Sequence, residues 1–131
     1  PDDLVVVVRE DQTLFSGDIL FSGRVPFVGN ADSRRWLATM DRLLEFKPAV
    51  LVPGHGAVSR NPAADLAFTR DYLRYLRQAM GKAAEDMVPF DEAYKQTDWS
   101  RFEKVPAFDA ANRINAYGTY LLMERESLEK K

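Results

Sequence analysis

Apolar residues follow two different rhythms along this chain. Near the start they come in short runs. Leu4-Val5-Val6-Val7-Val8 is an unbroken, mostly β-branched stretch, which predicts a strand buried on both faces. Arg9 to Gln12 is a polar link into Thr13-Leu14-Phe15, so the first two strands should form a hairpin. Ser16-Gly17-Asp18 interrupts the second strand before Ile19-Leu20-Phe21. Gly17 reads as a strand end, where glycine lets the backbone turn and the next side chain leave the sheet. Ser22 to Asn30, with Gly23, Pro26 and Gly29, has no period and predicts a loop.

From there the spacing of three and four takes over. Asp32 or Ser33 caps a helix with Trp36, Leu37, Met40, Leu43 and Leu44 on one face, ended by Lys47-Pro48. Ala49 to Val52 is a short apolar strand closed by Pro53-Gly54-His55-Gly56. Strand, loop, helix and strand in this order predict a βαβ-like crossover. Asn61 and Pro62 then start a long helix with an inward stripe of Leu66, Tyr72, Leu73, Leu76 and Met80, and Arg70, Arg74 and Arg77 towards water. A short helix is expected over Phe90 to Thr97 and a loop carrying Trp99 and Phe102 over Asp98 to Pro106. The last helix runs from Asp109 to about Leu128, with Ile114, Tyr117, Leu121 and Leu122 inward.

Size and charge narrow the classes. A chain of 131 residues with 46% hydrophobic content supports one ordinary core. Its 18 basic and 20 acidic side chains give a net charge of -2 with no long block of either sign, so no electrostatic footprint for nucleic acid or an anionic membrane is expected. No apolar run approaches the roughly 20 residues that span a bilayer, and the chain as given reads as soluble. With no cysteine, any metal site must use histidine and carboxylates.

His55 is the single histidine and sits in a Pro-Gly-His-Gly turn at a strand end, a rigid backbone suited to presenting a side chain. Asp18 follows a glycine at another strand end. Either residue alone is also an ordinary turn residue. Together, joined by a crossover, they could meet on one rim of a sheet as two zinc ligands, short of the three or so that a catalytic zinc takes from protein. Asp32 is a further carboxylate, better placed as a helix cap. Arg24 and Asn30 lie close enough in sequence to reach a substrate, although a solvated loop is the better account of both, and Trp99 and Phe102 are candidates to line its entrance.

The stretch from Leu14 to Pro26, followed by Asp32, Trp36, Leu37 and Val50-Leu51-Val52-Pro53-Gly54-His55-Gly56, closely resembles the C-terminal half of metallo-β-lactamase-fold zinc hydrolases. Within them it is most similar to the quinoprotein relay system zinc metallohydrolase branch. The resemblance implies an α/β fold, half of an αββα sandwich with one small sheet and flanking helices, over residues 1–60. Residues 61–131 would be a helical continuation packed on the same core. It also implies that Asp18 bridges two zinc ions and that His55 binds the second. Metal-bound hydroxide would then attack an ester, thioester or amide carbonyl of a small-molecule substrate.

The family's His-x-His-x-Asp-His motif and its further histidine are not in this sequence. The isolated chain is therefore expected to hold zinc weakly or not at all and to be no competent hydrolase. A half-sandwich should leave the inner face of its sheet open, which favours a homodimer packed sheet to sheet. The alternative is a non-catalytic half-fold used as a dimerisation or interaction module. The resembling branch tends to be exported, which leaves the compartment open.

Overall fold

A computed structural model describes residues 3–130. In chain order the elements are β1 (Val6–Val8), β2 (Thr13–Phe21), α1 (Ser33–Phe46), β3 (Val50–His55), α2 (Pro62–Glu85), α3 (Phe90–Gln96) and α4 (Phe108–Glu129). The three strands form one mixed sheet in the order β1-β2-β3, with β1 antiparallel and β3 parallel to β2. The hairpin and the crossover through α1 are thus both present, and the expected α/β class with one small sheet and flanking helices is found, consistent with a partial metallo-β-lactamase fold.

The sheet is covered on one side only. Val7, Leu14 and Leu51 share one face by register. Leu14 and Leu51 are fully buried there against Met40 and Leu43 of α1 and Leu66 of α2. Val6, Phe15 and Val52 share the other face, and Val6 and Phe15 are exposed. The β-branched run therefore does not make a strand buried on both faces. Its pairing begins only at Val6, and nothing in the described chain packs over its second face.

A second apolar cluster lies among α2, α3 and α4, and the loop residues Val25 and Val28 join it. Tyr72, Leu73, Leu76 and Met80 of α2 are completely buried, as their spacing requires. Phe102 is buried against Tyr72 and Tyr75, and the Trp99 indole donates to the Tyr94 carbonyl at 3.0 Å and packs on Tyr75. These two residues hold helices together and line no entrance beside Asp18. Arg77 also departs from its expected wet face. Its guanidinium donates to both carboxylate oxygens of Glu126, at 3.1 and 2.7 Å, and to Ser33 Oγ at 3.0 Å.

That pairing gives a pH dependence. The Arg77 hydrogen bonds hold the Glu126 carboxyl below its ordinary value of 4.5. A carboxylate depressed in the folded state stabilises the fold above its unfolded value, and the benefit disappears as pH falls through the folded value. Urea unfolding of Glu126→Gln should therefore show a shallower loss of stability as pH falls from about 5 to about 3 than the parent chain shows.

The last helix contradicts its expected orientation. Ile114, Tyr117 and Leu121 face water, while Ala111, Asn112, Asn115, Ala116, Thr119 and Tyr120 face the core. The loop before α1 explains the choice. Asn115 Oδ1 accepts from the Val28 and Gly29 amides at 2.7 and 3.3 Å, and its Nδ2 donates to the Pro26 carbonyl at 2.7 Å and to the Tyr72 hydroxyl at 3.0 Å. Buried backbone groups of an irregular loop require partners, and this face of α4 supplies them. Gly118 makes the approach feasible, because a Cβ there would lie 1.7 Å from the Gly29 carbonyl oxygen.

Candidate metal centre

Asp18 and His55 owe their meeting to a slip in the β2–β3 ladder. Gly17 pairs with Pro53 and Phe21 with His55, so β2 takes four steps where β3 takes two. The surplus makes a bulge, which re-aims side chains out of a regular pleat. Gly17 supports it with a φ of +53°. The ladder continues through Asp18 where the sequence suggested a break, and β3 likewise runs on through Pro53 and Gly54 where a turn was expected. β3 is an edge strand of this sheet, where a proline is tolerated. The bulge leaves the Ile19 carbonyl without a ladder partner, and the Trp36 indole of α1 donates to it at 2.9 Å.

The outcome is a close pair of exposed donors. Asp18 Oδ1 lies 3.2 Å from His55 Nε2. Two ligands each about 2.0–2.1 Å from a tetrahedral zinc stand roughly 3.3 Å apart, so the two atoms fit neighbouring corners of one coordination shell. Two glycines keep them there. A Cβ on Gly54 would sit 2.6 Å from Asp18 Oδ1 and 2.7 Å from the Gly17 carbonyl carbon. A Cβ on Gly56, whose φ is +97°, would sit 2.2 Å from the Ser22 carbonyl oxygen. The Ser22 amide in turn donates to the His55 carbonyl at 3.0 Å.

The imidazole has a second restraint that sequence reasoning missed. The Phe21 ring stacks on it at 4.8 Å between centroids and 8° between planes, which fixes the ring's tilt and so the direction of Nε2. The register that pairs Phe21 with His55 was the only signal for this, and it is hidden by the bulge. Arg24 lies over Phe21 at 5.7 Å, and its buried Nε has no hydrogen-bond partner among the described residues.

The other candidates separate. Asp32 Oδ1 accepts from the Arg34 and Arg35 amides at 3.0 and 3.2 Å, which makes it the cap of α1. It borders a groove of about 690 Å³ that Asp18, Phe21, Phe27, Arg35 and Trp36 also line. Asn30 lies elsewhere, beside Arg125 and Glu126 of α4. Among the described residues, no group of three or more His, Asp or Glu side chains could hold a metal ion. Asp18 and His55 are a fitting pair and an incomplete set. No helix of the described chain is long and apolar enough to cross a membrane.

A family model described as the metallo-beta-lactamase superfamily matches residues 1–55, the segment that ends on His55. A protein of Drosophila melanogaster named Beta-lactamase-like protein 2 homolog is 28% identical over 104 residues, covering 72% of this chain and 35% of its own length. The chain thus spans about a third of the curated relative it matches.

Proposed function

We propose that the chain carries one side of a binuclear zinc hydrolytic centre, with Asp18 as the carboxylate shared by two ions and His55 as a ligand of one. The remaining ligands would come from sequence packed on the open face of the sheet. The observation that carries this reading is the convergence of Asp18 Oδ1 and His55 Nε2 on one point, held by Gly54 and Gly56 at positions where a side chain would force them apart. An anionic oxygen between two cations offsets their repulsion. When bound, zinc supplies Lewis acidity towards water and a carbonyl oxygen.

The chain's own residues have defined tasks. Phe21 orients the imidazole, and the groove walled by Phe27 and Trp36 holds the apolar part of a small molecule beside Asp18. At about 690 Å³ it is within the usual range for such sites. The substrate class is an ester, thioester or amide. The run from Leu14 to Pro26 favours the quinoprotein relay system zinc metallohydrolase branch as the nearest functional type.

With two ligands the isolated chain should bind zinc weakly and hydrolyse nothing measurable. Calorimetric zinc titration is expected to give a dissociation constant weaker than roughly micromolar, and Asp18→Ala is expected to remove even that. Tight stoichiometric binding by the chain alone would overturn the division of ligands. A second reading, a non-catalytic half-fold that pairs with another copy through Val6 and Phe15, is favoured by the exposure of that face. It requires that zinc leave the chain unchanged.

A further inference from the structure

With its hydrogen-bonding side turned inward, α4 presents an apolar ridge that nothing in the described chain covers. Ile114, Leu121 and Leu128 recur every seventh residue and are 53%, 39% and 69% exposed, with Tyr117 between them at 49%. A seven-residue recurrence keeps side chains nearly in line along a helix, and it is the spacing of a seam between two packed helices. Beside the ridge, Pro89 and Phe90 extend the apolar surface with Ile114 and Tyr117 into a groove of about 520 Å³.

We propose that this ridge is a two-fold interface with a second copy of the chain, the two α4 helices running antiparallel. Charge selects both the occupant and the direction. Arg113 and Glu124 are exposed and lie three turns apart on the same flank of the ridge. In an antiparallel pair like flanks meet, so a crossing centred at the level of Thr119 sets Arg113 beside the partner's Glu124, twice by symmetry. The same alignment places Tyr117 on the partner's Leu121 and the small Ala110 opposite the partner's Leu128.

A parallel pair joins opposite flanks instead. It would set Arg113 beside the partner's Gly118 and Glu124 beside the partner's Glu129, with no ion pair and one like-charge contact. A two-fold interface must complement itself, and this flank does so only in the antiparallel sense. Arg113 is already oriented, since it pairs with Asp91 and lies 5.2 Å from the centroids of the Phe90 and Tyr94 rings. The remaining donors of its guanidinium can take a second carboxylate.

Sedimentation equilibrium of the chain should show a dimer. Leu121→Lys should give a monomer with an unchanged circular dichroism spectrum, because Leu121 touches water in the single copy. Arg113→Glu should weaken the dimer about tenfold or more, and adding Glu124→Arg to it should restore the affinity. Phe15→Lys, on the open sheet face, should leave the dimer intact. A monomeric parent chain, a dimer that survives Leu121→Lys, or a dimer lost in Phe15→Lys would each overturn the assignment. Failure of the charge swap to rescue would overturn the antiparallel pairing.

Discussion

Asn115→Ala is expected to lower the unfolding free energy by on the order of 3 kcal/mol or more. Four hydrogen bonds end on this one buried side chain, and three of them hold the loop residues Pro26, Val28 and Gly29. Alanine removes them all at once and leaves buried donors and acceptors that water cannot reach, each of which costs about 1–3 kcal/mol when abandoned. The burial-raised hydroxyl of Tyr72, which accepts from Asn115 and donates to Asn112 at 2.8 Å, loses a partner in the same step. Urea unfolding would measure the loss directly. A decrease under about 1 kcal/mol would mean that the loop is not fastened through α4.

Gly56→Ala should do comparable damage at the site itself. The new Cβ meets the Ser22 carbonyl oxygen at 2.2 Å, and the residue must keep a φ of +97°. That region is essentially closed to side chains and costs about 1–3 kcal/mol. Relieving the contact requires the strand end and Ser22 to separate, which swings His55 away from β2. Doing so breaks the Phe21 stack and opens the 3.2 Å gap to Asp18. Zinc affinity is expected to fall about 10- to 100-fold, the scale on which supporting groups act at metal sites, and the ring-current shift of the His55 protons should vanish. Unchanged His55 proton shifts would show that the turn does not position the ring.

One of these two effects falls where the sequence pattern was legible and the other where it was not. Asp18 and His55 stood out because glycines flank them at strand ends, and glycine at such places signals a backbone position that a side chain cannot occupy. The contacts of Gly54 and Gly56 give that signal its physical cause. The α2 stripe was legible for a similar reason, since a single apolar face has only one place to go. In α4 the pattern pointed the wrong way. Two faces competed, and the choice went to the face that carries Asn115 because loop backbone groups far away in sequence needed partners. A demand set by a distant segment leaves no trace in helical spacing. The same holds for Phe21, whose stack on His55 depends on a two-residue slip in register, and for Trp99 and Phe102, whose loop turned out to lie inside an aromatic cluster.

The most direct test of Asp18 and His55 as two corners of one metal site is the nitrogen-15 spectrum of the His55 imidazole during a zinc titration. Because His55 is the only histidine, its ring resonances need no assignment. Nε2 is expected to shift as zinc is added, with weak saturation, and to remain unmoved in Asp18→Ala at the same zinc concentrations. An imidazole that ignores zinc in the parent chain, or that responds equally well without the Asp18 carboxylate, would contradict it.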